Sequence, residues 1–142
     1  MVRIFIHVDQ EEELYAVTDF FLYKAGPVAP SLHLIPGPYP IGIHAIHVGV
    51  LPCCGGDHCL VVVPQPRPIK ASDRWGYVLH IFSTKTMSWT RKKAARMAPD
   101  MDERHLFFEH DKVFAVGDDA LAWVDFRHGI LICAKGLRVT TR

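Results

Sequence analysis

Short apolar runs separated by polar turns repeat along the chain from residue 43 onward. The segments that this pattern marks as strands read IHAIHVGVL, HCLVVVP, GYVLHIFS, MSWTRK, KVFAVG, ALAWVDF and GILICA. Runs of roughly four to eight residues, returning every eight to twelve residues with turn signals between them, are typical of antiparallel β-structure. Connections of two to four residues join antiparallel neighbours, because a parallel crossover needs about a dozen residues or more. The pattern predicts one antiparallel all-β domain over residues 1–142.

Alternation within the runs predicts which side chains share a face. Both faces of the segment 77–82 are apolar, and the run LVVV at 60–63 has no polar side at all, so both segments are predicted to be covered on two sides. In the segment 121–126, Leu121, Trp123 and Asp125 share one face. Large aromatic and branched side chains in such strands are predicted to form the core, namely Trp89, Trp123, Phe82, Leu79 and Val62.

The first third of the chain is less regular. Leading glutamates and apolar residues at helical spacing favour a helix over 11–18, whereas β-branched and aromatic residues favour a strand, and both alternatives stay open there. A strand is predicted at 19–24. The prolines of residues 25–42 exclude a helix and leave SLHLI as a short edge strand. Prolines at 64, 66 and 68 are predicted to end the strand HCLVVVP.

Four stretches together resemble a known family. They are DFFLYKAGPVAPSLHLIPGPYP, VGVLPCCGGDHCLVVVP, YVLHIFSTKTMSWTRKKA and KVFAVGDDALAWVDFRHGILIC, which span most of residues 19–134. Their order, with a proline-rich PSLHLIP, a hairpin with a tryptophan and a final WVD strand, resembles the plant domain-of-unknown-function family 1618. This family is expanded in grasses and is similar to the β-propeller domains that accompany F-box proteins.

The resemblance implies a propeller-like arrangement of blades, a plant origin and no established catalytic residue. A four-stranded blade takes about 40–50 residues and a closed ring has about four to eight blades, so 142 residues make roughly three blades and an incomplete ring. A shorter relative of a longer family is the corresponding expectation. The alternative is that the same strands form a compact β-barrel or sandwich.

Charge and hydropathy narrow the classes of partner. Sixteen basic side chains face fifteen acidic ones, which argues against a strongly cationic nucleic-acid binder. The basic run TRKKAAR, with Lys92 and Lys93, is the remaining candidate for phosphate contacts. No window approaches the roughly 20 apolar residues needed to cross a bilayer, and the N-terminal segment lacks a secretory signal pattern. The expected location is the cytoplasm or nucleus, where the cysteines stay reduced.

The densest cluster of metal-binding residue types lies between positions 44 and 59. Thiolates and imidazoles bind zinc when four of them converge, and the zinc candidates are His44, His47, Cys53, Cys54 and Cys59. Residues three apart in a strand point to opposite faces, and the segment lacks a CxxC pair. The pattern therefore favours ordinary thiols and histidines beside a hairpin turn, with no metal.

Other chemistry is weakly indicated. Cys133, His128 and Asp125 lie close in sequence, and a catalytic set requires that all three side chains converge. The buried-thiol interpretation of Cys133 is the simpler one. Asp118 and Asp119 are interpreted as turn residues. No glycine-rich phosphate motif or nucleophile elbow occurs, so no cofactor is predicted.

These observations lead to two hypotheses about function. The first is a non-enzymatic protein–protein interaction module, which binds a protein partner or a second copy of itself through exposed strand edges. The alternative is a small hydrolytic or thiol-dependent enzyme that uses the Cys/His-rich rim of residues 44–59.

Overall fold

The fold is known from a computed structural model, which describes residues 19–25, 29–39, 48–53, 58–68, 75–96, 111–127, 129–134 and 138–141. In these ranges the secondary structure is entirely antiparallel β, which confirms the all-β prediction, and the sheets do not close into a barrel. The strands are β1 Phe20–Lys24, β2 Ser31–Ile35, β3 Gly49–Cys53, β4 His58–Pro68, β5 Trp75–Ser83, β6 Ser88–Arg96, β7 Lys112–Val116, β8 Ala120–Asp125, β9 Gly129–Ala134 and β10 Arg138–Thr141.

The chain divides into two compact units, residues 1–39 and 40–142. The described part of the first unit is a hairpin of β1 and β2, which confirms the strands expected at 19–24 and at SLHLI. Tyr39 closes this hairpin, because its ring packs edge-on against Phe20 at 4.9 Å and its hydroxyl donates to the Ile35 carbonyl at 2.5 Å. The helix-or-strand alternative at 11–18 lies outside the described residues.

The second unit contains two four-stranded sheets, each a simple meander. Sheet I has the order β3-β4-β5-β6, and sheet II has the order β7-β8-β9-β10. Tight turns impose this order: residues 84–87 join β5 to β6, and residues 117–119 join β7 to β8. Gly117 in the second turn has a φ of 62°, a left-handed conformation that glycine adopts without steric cost. The GDD sequence is therefore a turn, as predicted.

The core of this unit lies between the inner faces of the two sheets. We use "inner face" for the side that carries the shared core and "outer face" for the opposite side. β3 lies beside β7 and β8, and β6 lies beside β10. The core consists of the inner-face side chains Leu51, Val62, Tyr77, Leu79, Ile81, Leu121, Trp123, Leu131 and Cys133. Gly49 permits the sheets to approach, because a Cβ at this position would lie 2.8 Å from Leu121 Cδ1 and from Trp123 Cζ2.

Sheet I is buried on both faces. On its outer face, Val61, His80 and Phe82 are between 1% and 7% exposed, while Leu79 and Val62 on the inner face are fully buried. This confirms the prediction of two covered faces for the segments 77–82 and 60–63. None of the described residues belongs to a helix of the length and apolarity needed to cross a membrane.

The prediction that prolines end the strand HCLVVVP is wrong. β4 continues to Pro68 and stays paired with β5, up to Pro68 opposite Trp75. Alternate residues of a strand present their N–H groups to the same edge, so the prolines at 64, 66 and 68 all lack donors on one edge. The pairing of β3 with β4 reaches only Val62, opposite Gly49. The missing donors thus fall where β3 no longer pairs, and the ladder with β5 continues.

Candidate functional site

Sheet II exposes apolar side chains on its outer face. β7, β8 and β9 pair so that Phe114, Ala122 and Ile132 form one row across the sheet, and Lys112, Val124 and Ile130 form another. The exposed fraction is 47% for Phe114, 43% for Val116 and 37% for Ile130. Apolar side chains grouped on one exposed face are the usual signature of a protein contact. We call this surface, made by Phe114, Val116, Val124, Phe126, Ile130 and Ile132, the apolar patch.

Phe126 is the most exposed residue of the apolar patch, and hydrogen bonds hold the backbone at this position. It is 71% exposed. The Asp111 carboxylate accepts a hydrogen bond from the Phe126 backbone N–H at 2.8 Å, and the Asp111 N–H donates to the Val124 carbonyl at 2.8 Å. The Lys112 ammonium lies 5.8 Å from the centre of the Phe126 ring, within the range of a cation–π interaction. The backbone that carries this aromatic ring is therefore ordered without a partner, which lowers the ordering cost of binding.

An open sheet edge borders the apolar patch. Among the described strands, β7 pairs with β8 only and forms one end of sheet II. Four of its five residues are exposed, and only Val113 is partly buried. A strand whose second edge is not hydrogen-bonded to another strand can accept a strand from another chain. The patch and the edge therefore form one continuous surface.

Two buried polar residues, Asp125 and Tyr77, lie on the inner side of the turn at residues 126–127. Asp125 is 3% exposed on the inner face, and its Oδ1 accepts a hydrogen bond from the Arg127 N–H at 2.8 Å. Burial, together with the nearby Asp125 carboxylate, raises the pKa of Tyr77 to about 12. Tyr77 is thus a neutral phenol at physiological pH. Leu121, Trp123 and Asp125 all lie on the inner face, as alternation predicted.

The zinc candidates do not assemble in the part of the chain that the structure describes. Cys53 pairs with His58, and Pro52 pairs with Cys59, so Cys53 and Cys59 occupy neighbouring rows and point to opposite faces. Cys59 is 1% exposed, and Cys53 is partly exposed. Within the described ranges no group of three His, Cys, Asp or Glu side chains could hold a metal ion. His44, His47 and Cys54 lie outside those ranges.

Cys133 and Asp125 lie far apart although both face the core. In the ladder of β8 and β9, Cys133 is opposite Leu121 and Asp125 is opposite Gly129. Four residues of strand separate these rows, which is about 13 Å. His128 lies outside the described residues. The two described members of the sequence-predicted Cys/His/Asp set are therefore too distant to act on one atom.

Cys133 is chemically protected. Burial raises its pKa to about 11, although the Lys92 ammonium acts in the opposite direction. The thiolate is the reactive form, so a rise of about two pKa units lowers its population about a hundredfold at neutral pH.

We expect Cys133 of the native protein to react with iodoacetamide at least a hundredfold more slowly than Cys53, which is partly exposed in the same molecule. Mass spectrometry of peptides from timed alkylation measures both rates in one sample, and unfolding in urea should make them similar. Faster alkylation of Cys133 than of Cys53 would contradict the buried-thiol assignment.

The residues predicted as core differ in burial. Trp123, Leu79 and Val62 are fully buried between the sheets, and Phe82 is 1% exposed on the outer face of sheet I. Trp89 is only partly buried, and its ring lies 5.4 Å from that of Phe82 at the margin of this face. The hairpin around it is anchored by Thr84, whose N–H donates to the Cys59 carbonyl at 3.1 Å.

The apolar patch was not predicted from the sequence. The available signal was the alternation that groups Phe114 with Val116 and Ile130 with Ile132, and the strand pairing places both groups on the face opposite Trp123. The chain matches no family model, no curated protein and no solved structure. The fold alone therefore defines the class of the protein, an all-β protein of antiparallel sheets.

Proposed function

We propose that the chain is a non-enzymatic protein–protein interaction module, and that its binding surface is the apolar patch together with the edge of β7. The observation that carries this proposal is the 71% exposure of Phe126, a large aromatic residue whose backbone N–H is bound by the Asp111 carboxylate beside an open strand edge. Exposed aromatic anchors contribute most of the free energy at protein interfaces. Cys53 and Cys59 point to opposite faces of sheet I, so these two thiols give no support to the enzyme hypothesis.

The proposal includes the propeller-like blades that the resemblance to family 1618 implies. Sheets I and II are consecutive meanders that share a core, with β3 beside β7 and β6 beside β10. Neighbouring blades of a propeller stack in this order, with first strand near first strand and last near last. In such a stack the outer face of sheet II is the face that would receive another sheet.

A second copy of the chain is the partner that we propose. β7 begins with Lys112, and the turn after it carries Asp118 and Asp119. Two copies of β7 running antiparallel would bring Lys112 of each copy near the acidic turn of the other. Opposite charges at both ends and apolar side chains between them make the edge self-complementary.

The experiment is a sizing series by light scattering across protein concentrations from about 1 µM to 1 mM. We expect the mass of the wild type to rise toward that of a dimer. Phe114→Glu should weaken association at least tenfold, because a carboxylate would be buried at the contact.

Leu34→Glu is the matched control, since Leu34 is 49% exposed, like Phe114, but lies in the hairpin of the first unit. This variant should associate like the wild type. A wild type that stays monomeric throughout the series would refute self-association, and equal loss in both variants would refute the assignment of the surface.

A further inference from the structure

A cationic cluster lies on the outer face of sheet I and plays no part in the surface described above. His80 in β5 is directly opposite Arg91 in β6, and Val78 is directly opposite Lys93. Directly opposed residues have Cβ atoms about 4.5–5.5 Å apart. Arg67 in β4 lies on the same face, two residues beyond Gln65, which pairs with Val78. The two strands that flank β5 thus bring three cations to the surroundings of one histidine.

A glutamine joins two members of this cluster. Gln65 Oε1 accepts hydrogen bonds from Arg67 Nη2 at 2.9 Å and from His80 Nε2 at 3.0 Å. The Arg67 guanidinium therefore turns back along β4 toward His80, and the two nitrogens lie within about 6 Å of each other. His80 is only 7% exposed, whereas Arg67, Arg91 and Lys93 are exposed. The buried imidazole thus forms the floor of a basic surface.

The cluster has no acidic counterpart on its own face among the described residues of sheet I. On the β3 side of this face the residues are apolar, Val50 in β3 and Val48 just before it, and the charged residues on the face are Arg67 from β4 and Arg91 and Lys93 from β6. Burial lowers the pKa of His80, and Arg91 and Arg67 lower it further. Like charges gathered in this way repel one another, and a bound anion would relieve the repulsion.

Alternation along β6 selects the members of the cluster. Arg91 and Lys93 point to the outer face, and Lys92 points to the inner face near Cys133. The basic run of the sequence is therefore divided between two faces. On the outer face, Arg91 and Lys93 lie on the same surface as Arg67, which precedes Arg91 by 24 residues in the chain.

We propose that Arg67, Arg91 and Lys93 form a binding site for a single phosphate-type oxyanion, with the Gln65–His80 pair as its floor. Guanidinium groups match the oxygens of a phosphate in a bidentate fashion, and lysine adds a point charge. The cluster is compact, since β4 and β6 are two strand spacings or about 10 Å apart. A compact patch suits one oxyanion better than it suits a nucleic-acid backbone, which needs an extended basic track.

The test is titration of the full chain with inorganic phosphate, followed by NMR of the His80 imidazole and by calorimetry. We expect saturable binding that moves the His80 imidazole signal. Arg67→Gln and Arg91→Gln should each weaken phosphate binding at least tenfold. Lys85→Gln, which removes an exposed cation from the turn of the same hairpin, should leave it unchanged. Both arginines are exposed, so the variants should fold, and thermal melting checks this.

Two further titrations distinguish the sources of the oxyanion. Phenyl phosphate binding several-fold more tightly than inorganic phosphate would assign the site to a phosphomonoester, and equal affinity would assign it to the free ion. Sulfate, which keeps its charge between pH 5 and 8, should raise the pH at which His80 titrates. Absence of saturable binding, or binding unchanged in Arg91→Gln, would overturn the proposal. Tighter binding of a single-stranded oligonucleotide, with a salt dependence of several phosphate contacts, would overturn it in favour of nucleic acid.

Discussion

Replacing Trp123 with alanine is expected to destabilise the protein by about 3–5 kcal/mol. Trp123 is fully buried in the core shared by the two sheets, and its ring lies against the site of Gly49. Removing the indole leaves a cavity that the flanking strands can close only in part. Domains of this size are stable by about 5–15 kcal/mol, so the loss is a large share of the total.

The measurement is chemical denaturation monitored by circular dichroism, with Trp89→Ala as the matched control. Trp89 is partly buried and packs against Phe82 at the margin of the outer face. Replacing Trp89 removes one aromatic pair, which lowers stability by about 0.5–1.5 kcal/mol, and removes only the buried part of the apolar surface of this side chain. We therefore expect the midpoint of Trp123→Ala to fall well below that of Trp89→Ala. The reverse order would place the principal core on the outer face of sheet I.

The contrast between the two tryptophans shows how far alternation extends as a predictor. Period-two alternation correctly grouped Leu121 with Trp123 and predicted that both faces of the segment 77–82 are buried. It also grouped the residues of each outer face. It did not distinguish a covered outer face from an exposed one, because Phe82 at 1% exposure and Phe114 at 47% occupy similar apolar strands. Which face is covered depends on the rest of the chain, beyond the strand itself.

Register was the second property beyond the reach of the sequence. Cys53 and Cys59 are close along the chain, yet the pairing of β3 with β4 points them to opposite faces. Arg67 and Arg91 are distant along the chain, yet the pairing of β4, β5 and β6 brings them to one face. Proximity in sequence therefore singled out cysteines as zinc candidates although strand pairing separates them, and it concealed the cationic cluster.

Prolines show the same dependence on neighbouring strands. Taken alone, Pro64, Pro66 and Pro68 predicted the end of β4, since each lacks a backbone donor. Their spacing of two residues places all three missing donors on one edge, and β3 is too short to use that edge. Spacing was available from the sequence, but the length of β3 was not.

Gly49→Val is expected to destabilise the protein by overpacking the interface that Trp123 occupies. A Cβ at residue 49 would lie 2.8 Å from Leu121 Cδ1 and from Trp123 Cζ2, closer than carbon atoms approach in real structures. Both neighbours are buried and have little space to move into. Overpacking of this kind typically costs about 1–3 kcal/mol, and the two branches of valine place it at the upper end. Gly49→Ala should show a smaller loss in the same urea titration.

A double-mutant cycle separates overpacking from the loss of a flexible glycine. Leu121→Ala alone should cost about 2–5 kcal/mol, but together with Gly49→Ala it should cost less than the sum of the two, because the shortened side chain makes room for the new methyl group. Gly117→Asn is the control for glycine itself, since asparagine tolerates the left-handed conformation and a Cβ there meets nothing within 4 Å. It should be nearly neutral. Strict additivity in the cycle would mean that Gly49 does not set the spacing of the sheets, and the close approach of β3 to sheet II would then need another cause.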